Sequence, residues 1–123
     1  MKRILLLLLL CSTTLLMAQQ TDPIQEAMAS YDYETALSLI AQKKPATPLL
    51  LQKGKALRSL GLNAEALSTY QEIIGKDSTN TRALIEAAEC CRTLAKYKQA
   101  SAYYATLAPR MRASTSVERL VLT

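Results

Sequence analysis

The sequence predicts an all-α fold, a short right-handed α-solenoid of antiparallel helix pairs, about 2.5–3 repeat units long, behind a signal peptide. Three observations support this prediction. Ala and Leu are abundant, while Gly and Pro are few and both Phe and Trp are absent, which favours helix over sheet. Apolar residues recur at i, i+4 and i+7, as on one face of a helix. The same pattern returns after 34 residues, which indicates a stacked helical repeat.

Two segments, residues 47–80 and 81–114, carry this repeat. Small and apolar residues correspond between them at the same distance: Gly54 and Ala88, Leu57 and Cys91, Ala66 and Ala100, and Tyr70 and Tyr104. Small residues let two helices cross closely, and the larger ones fill the space beside the crossing. We therefore expect these eight side chains to form the packing core of the repeats.

The first repeat, over residues 19–46, is degenerate. Asp22 as N-cap and Pro23 at the first helical position predict a helix that ends near Ser30, and a second helix is expected over 34–42. Ala36 corresponds to Ala66 at a distance of 30 residues rather than 34. The first repeat is therefore four residues short, most simply at the end of its second helix.

Caps and breakers predict the remaining boundaries. Thr47 before Pro48 predicts the start of the next helix, Gly61 suits the left-handed residue that closes it, and Asn63 is expected to cap its partner. Pro109 is expected to end the last helix of the repeats.

A short final helix is predicted over residues 115–123. The run from Thr115 to Glu118 reads as a capping box, and an apolar face begins directly after it. We interpret this segment as a short or truncated capping helix.

The N-terminal segment, residues 1–18, predicts a cleaved secretory signal peptide. Lys2 and Arg3 give a basic start, an apolar run follows, and Ala18 precedes a polar stretch. This order of charged, apolar and small residues is typical of signal peptides. The protein is therefore expected to be periplasmic or secreted.

Two alternatives to cleavage stay open. A lipoprotein would be cut before Cys11, where the preceding Leu10 is an unfavourable residue, and would be anchored through the acylated cysteine. A retained membrane anchor needs about 20 apolar residues, more than this segment supplies. Both are less favoured than cleavage after Ala18.

Charge and composition exclude several classes of function. The formal charge is +5, and loss of Lys2 and Arg3 with the leader would leave 13 basic against 10 acidic side chains, or +3, too few to indicate nucleic-acid binding. The sequence contains no histidine, which excludes Ser-His and Cys-His dyads and His-based metal sites. It also contains no Gly-rich phosphate loop and no serine elbow. We expect no catalytic residue, cofactor or metal, and therefore no enzyme.

The adjacent Cys90 and Cys91 also have a structural interpretation. Neighbouring side chains on a helix point about 100° apart, so the two thiols do not bridge each other readily. Two thiols alone are at most half of a zinc site. Cys91 is expected in the core, and Cys90 is expected to be more exposed, where it would pair with another chain in an oxidising compartment.

The repeat residues resemble the tetratricopeptide repeat (TPR) family. The first full repeat supplies Leu50, Gly54, Leu57, Gly61, Ala66, Tyr70 and Ile73, and the next supplies Leu84, Ala88, Cys91, Ala95, Ala100, Tyr104 and Leu107. Ser78 and Arg112 stand where the family usually has a connector Pro, and neither repeat has Trp. The resemblance implies an exported bacterial scaffold that binds other proteins.

The resemblance also implies where a ligand would bind. In this family ligands lie along the concave surface made by the first helix of each repeat. The matching positions form a predicted peptide-binding groove of Lys55, Arg58, Arg82, Ile85, Glu89 and Arg92. Guanidinium groups hold carboxylates bidentately, so an acidic peptide is expected. The alternative is an ordinary solvated face whose cations pair locally with Glu86 and Glu89.

The expected function is a non-catalytic scaffold or adaptor of the bacterial cell envelope, with a protein or peptide partner. We expect no nucleic-acid partner and no stable membrane span after signal cleavage, and a second copy of the chain is a further candidate partner. Two alternatives stay open: an N-terminal spacer or sensory part of a larger secreted or membrane TPR protein, and an outer-membrane assembly lipoprotein.

Overall fold

The computed structural model describes residues 2–6 and 21–121. In that part of the chain every regular element is an α-helix and no strand occurs, so the predicted all-α class is confirmed. Besides the helical residues 2–6, the helices are α1 Pro23–Ala29, α2 Tyr33–Ala41, α3 Thr47–Ser59, α4 Asn63–Lys76, α5 Thr81–Thr93 and α6 Tyr97–Val121. Most of the predicted signal peptide lies outside the described residues. Within the described ranges, no helix has both the length and the apolar character needed to cross a bilayer.

The main contacts between helices join neighbours in the chain. Each helix from α2 onward packs on the helix before it. A single cluster of buried side chains runs through α3, α4, α5 and the start of α6, and consists of Leu50, Leu57, Ala66, Leu67, Tyr70, Ile73, Ala83, Ala87, Cys90, Cys91 and Ala100. The burial of these residues is the main favourable contribution to the fold.

The turn inside each helix pair has the same backbone geometry three times. Tyr31, Gly61 and Ala95 have φ of 62°, 78° and 60°. In the middle turn the Gly61 N–H donates to the Arg58 carbonyl at 2.9 Å, and the next N–H donates to the Leu57 carbonyl at 2.8 Å. The other two turns repeat this pair of bonds, which is the Schellman motif. Only Gly61 was predicted, because a side chain at positive φ costs about 1–2 kcal/mol and gives no sequence signal.

The helix starts agree with the predictions in one case and differ in two. Asp22 is the N-cap of α1, and its carboxylate accepts from the Ile24 N–H at 3.1 Å. Thr47 and Asn63 are not caps: each is the first residue of its helix, and the residues before them make no side-chain capping bond. The Asn63 amide instead donates to the Gly61 carbonyl at 3.4 Å, so it supports the preceding turn.

The prediction that Pro109 ends its helix is wrong. Helix α6 continues through Pro109 to Val121, so the segment predicted as a separate capping helix is a continuation of α6 as far as it is described. Proline removes one backbone bond, the one to the carbonyl four residues earlier, and its ring crowds that carbonyl, at a cost of about 3 kcal/mol. Buried Leu107 and the helix-forming residues around it offset this cost.

The first repeat is short where the sequence predicts. Helix α2 has 9 residues, whereas its counterpart α4 has 14. The α2 positions that would correspond to Ile73 and Ile74 are Lys43 and Lys44, which lie in the loop after the helix. The end of the first pair is therefore exposed and charged where the next pair has apolar side chains.

Helices α3 and α4 cross where Tyr70 lies against Gly54. Tyr70 is buried, and a Cβ built on Gly54 would lie 2.6 Å from Cε1 of its ring. The lack of a side chain at Gly54 therefore permits this crossing. Seven of the eight predicted packing residues are buried, among them Ala88 and Ala100.

Tyr104 is the exception, because it is 40 % exposed. Its repeat counterpart Tyr70 lies against a glycine, but the matching position on α5 is Ala88, which has a methyl group in that place. Tyr70 is also enclosed by α5, and no further described helix follows α6 to enclose Tyr104. The prediction that Tyr104 packs in the core is therefore wrong.

We expect Gly54→Ala to lower the free energy of unfolding by roughly 1–3 kcal/mol, because the added methyl overpacks a buried aromatic ring. The helix propensity of alanine alone would change stability in the opposite direction by about 1 kcal/mol. Urea unfolding followed by circular dichroism measures the change.

Gly75→Ala is the matched control. Gly75 lies in α4, and a Cβ built there meets no atom within 4 Å, so this variant should be more stable by about 0.5–1 kcal/mol. A Gly54→Ala protein as stable as Gly75→Ala would contradict the close crossing.

Candidate binding surfaces

Part of the predicted groove is a cavity between α3 and α5. Lys55 and Arg58 from α3 and Arg82 from α5 line it together with Ser59 and Glu86, and its volume is about 300 Å³. The structure thus brings together three of the four predicted cations. Because α3 and α5 are the first helices of consecutive repeats, the cavity lies on the predicted surface.

Glu86 organises the charges of this cavity, which we call the cationic cavity. Its Oε2 pairs with the Arg58 guanidinium across the helices, and its Oε1 lies 3.3 Å from Nε of Arg82 one turn away. The Glu86 side chain is 18 % exposed, so the pairs are partly shielded from water. Glu86 therefore holds both arginines at the cavity wall, and Lys55 takes part in none of the ion pairs of the described residues.

The other predicted groove residues form a second group. Arg92 binds one oxygen of Glu89 through Nε at 3.2 Å and Nη2 at 2.9 Å, while the Tyr104 hydroxyl donates to the other oxygen. The hydrogen bond from Tyr104 and then that from Arg92 lower the pKa of Glu89. Ile85 is 39 % exposed on the same helix. Arg92 thus lies outside the cationic cavity.

The alternative expectation of local ion pairs is confirmed for two arginines. Arg82 pairs with Glu86 at i,i+4, and Arg92 pairs with Glu89 at i,i+3. The pair between Arg58 and Glu86 joins residues 28 positions apart, and the bond between Tyr104 and Glu89 joins residues 15 apart. Sequence spacing predicts the local pairs only, because the long-range ones depend on how the helices are stacked.

Both cysteines are buried free thiols. Cys90 and Cys91 have no exposed surface, so the expectation that Cys90 is more exposed is wrong. Burial raises the pKa of both thiols. Thiolate is the reactive form, so neither side chain is suited to nucleophilic chemistry or to pairing with another chain.

A second cavity of about 300 Å³ lies between α2 and α3 and was not predicted. We call it the apolar cavity. Its lining combines apolar side chains with three lysines and comprises Leu37, Ile40, Ala41, Lys43, Lys44, Pro45, Leu49, Leu50 and Lys53. It opens where α2 ends early, and the sequence signal for it was the four-residue shortening of the first repeat.

Comparisons with protein-family models, curated proteins and solved structures find no match to this chain.

The pKa of Glu89 tests the contact with Tyr104. We expect Tyr104→Phe to raise the pKa of Glu89 toward its ordinary value of 4.5, because the largest cause of its lowering is lost. A group whose pKa is lowered by folding stabilises the fold above that ordinary value, and the contribution disappears as the pH falls through the lowered pKa. Carbon-detected NMR titration of the glutamate carboxylates measures the shift.

Tyr103→Phe is the matched control for this titration. The Tyr103 hydroxyl accepts from Nε2 of Gln71 at 3.2 Å, so its loss should leave the pKa of Glu89 unchanged. An equal shift in both variants, or none in either, would contradict the assigned contact.

Proposed function

We propose that the chain is an exported, non-catalytic adaptor that binds an acidic segment of a partner protein at the cationic cavity. The observation that carries the proposal is the convergence of Lys55, Arg58 and Arg82 from two helices on one cavity. Carboxylates recognised by fixed guanidinium groups gain both energy and directional specificity.

We also propose that the helix pairs form a short right-handed solenoid of the TPR kind. Three observations support this part of the proposal: the three equivalent Schellman turns, the spacing of 30 and then 34 residues between them, and the packing of each helix on its neighbours. In such an array the first helices of successive repeats present one continuous surface. Export rests on the signal-peptide pattern of residues 1–18.

Glu86 gives the site its selectivity in this proposal. It keeps Arg58 and Arg82 at the wall in the absence of ligand, so little side-chain freedom is lost on binding. It also neutralises part of their charge, which leaves Lys55 as the cation without a recorded partner. A ligand must therefore supply a carboxylate near Lys55 and accept donors that the arginines retain.

Lys55→Glu tests the site. We expect a glutamate-rich peptide to bind this variant about 5- to 30-fold more weakly, because a charge reversal on the surface changes the interaction by about 1–2 kcal/mol. Binding to the unsubstituted chain should also weaken as salt is raised from 50 to 300 mM, as expected for exposed charges. Fluorescence anisotropy of a labelled peptide measures both effects.

Lys98→Glu is the matched control, since Lys98 is exposed at the start of α6, away from the cavity lining, and the variant has the same net charge. Equal weakening in both variants would show a response to overall charge alone and would contradict the site. Glu86→Gln provides a second measurement: it should strengthen binding by releasing the charge of two arginines, and weaker binding there would oppose the proposal.

A further inference from the structure

The apolar cavity is a site of different chemistry from the cationic cavity. Its walls come from Leu37 and Ile40 of α2 and from Leu49 and Leu50 at the start of α3. Ile40 and Leu50 are buried, and Leu37 packs against the core cluster, so the walls are held in place by the fold. An apolar concavity on a fixed scaffold is a typical setting for a ligand site.

The cavity exists because the first repeat lacks the end of its second helix. In the next repeat the corresponding part of α4 carries Ile73, which is fully buried, and Ile74, which packs against the core. In the first repeat the chain leaves the helix after Ala41 and turns at Pro45. The apolar walls that a longer helix would cover are therefore open.

Three lysines border this opening. Lys43 and Lys44 are exposed in the loop after α2, and Lys53 is half-buried on α3. None of them belongs to an ion pair of the described residues. Lys53 also borders a neighbouring depression that contains Glu65 and Glu72, so its charge is partly balanced, whereas no carboxylate lines the apolar cavity itself.

The geometry points to a binding site for the C-terminal residue of a partner polypeptide, with an apolar last side chain in the cavity and the terminal carboxylate on the lysines. The size supports one apolar residue, since about 300 Å³ is at the lower limit of ligand pockets. The charges support a carboxylate next to that side chain, because unpaired ammonium groups at an apolar rim favour an anion there. Two features of one ligand are thus required together.

This site is independent of the proposed adaptor site. The apolar cavity is formed by α2, the loop after it and α3, and it shares no lining residue with the cationic cavity. A ligand with a free carboxylate and a large apolar terminal residue is expected at the former, and an acidic segment at the latter. Variants at one site should leave the other unchanged.

The test is an NMR titration of the ¹⁵N-labelled full chain with a short acetylated peptide that ends in leucine with a free carboxylate. Amide shifts should concentrate in residues 37–53. The same peptide with a C-terminal amide, and a peptide ending in glycine with a free carboxylate, should each bind at least fivefold more weakly. Equal binding of the three peptides, no binding of the leucine peptide, or shifts concentrated elsewhere would overturn the proposal.

Substitutions separate the two features of the ligand. Lys43→Glu with Lys44→Glu should weaken binding of the leucine peptide at least tenfold, while Lys96→Glu with Lys98→Glu, of the same net charge, should not. Ala41→Phe should also weaken it at least tenfold, because Ala41 is exposed at the cavity and the larger side chain would fill it. Thermal unfolding by circular dichroism verifies that each variant is folded.

Three further outcomes decide between this occupant and others. Lys55→Glu should bind the leucine peptide normally, so loss of the cationic cavity and loss of this site are distinguishable. Octanoate binding more tightly than the peptide would overturn the proposal in favour of an anionic amphiphile. Concentration-dependent dimerisation in sedimentation, abolished by Ala41→Phe, would overturn it in favour of a second copy of the chain.

Discussion

The contact of the Tyr70 ring with the bare backbone at Gly54 sets how closely α3 and α4 approach. Helix α4 is at the centre of the buried cluster, and α5 packs on its other side. The positions of α3 and α5 relative to each other are therefore fixed largely through α4, and the ion pair between Arg58 and Glu86 is possible only at that separation. A packing constraint in the core thus determines the arrangement of charges on the surface.

The surface charges are arranged by two glutamates that each accept from two side chains. Glu86 joins Arg58 and Arg82, and Glu89 joins Arg92 and Tyr104. Exposed ion pairs contribute little to stability, so their effect here is to fix the direction of the cations. Fixed cations suit recognition of a carboxylate better than mobile ones, because less side-chain entropy is lost on binding.

Local signals predicted what local forces decide. The Asp22 cap, the left-handed Gly61 and the missing end of α2 could all be predicted, since each depends on residues within about one helical turn. Positive φ at Tyr31 and Ala95 could not, because the repeat imposes the turn on residues that do not favour it.

Contacts between distant residues limited the rest. Tyr104 was expected in the core from its repeat position, but its burial would need a glycine on α5 and a further helix beside α6. The grouping of Lys55 with Arg82 followed from the repeat, whereas the bond from Arg58 to Glu86 depends on side-chain reach across two helices. The apolar cavity was not predicted, because a shortened helix in the sequence does not show whether neighbouring side chains fill the space.

The packing of each helix mainly on its chain neighbours has a consequence for how the molecule forms and fails. Pairings that are close in sequence need little loop closure, so the chain belongs with proteins that fold quickly. Cohesion then passes from one hairpin to the next, and loss of order is expected to start at the ends. The seven-residue α1, with one neighbouring helix to hold it, would detach first, and the segment around α4 would persist longest.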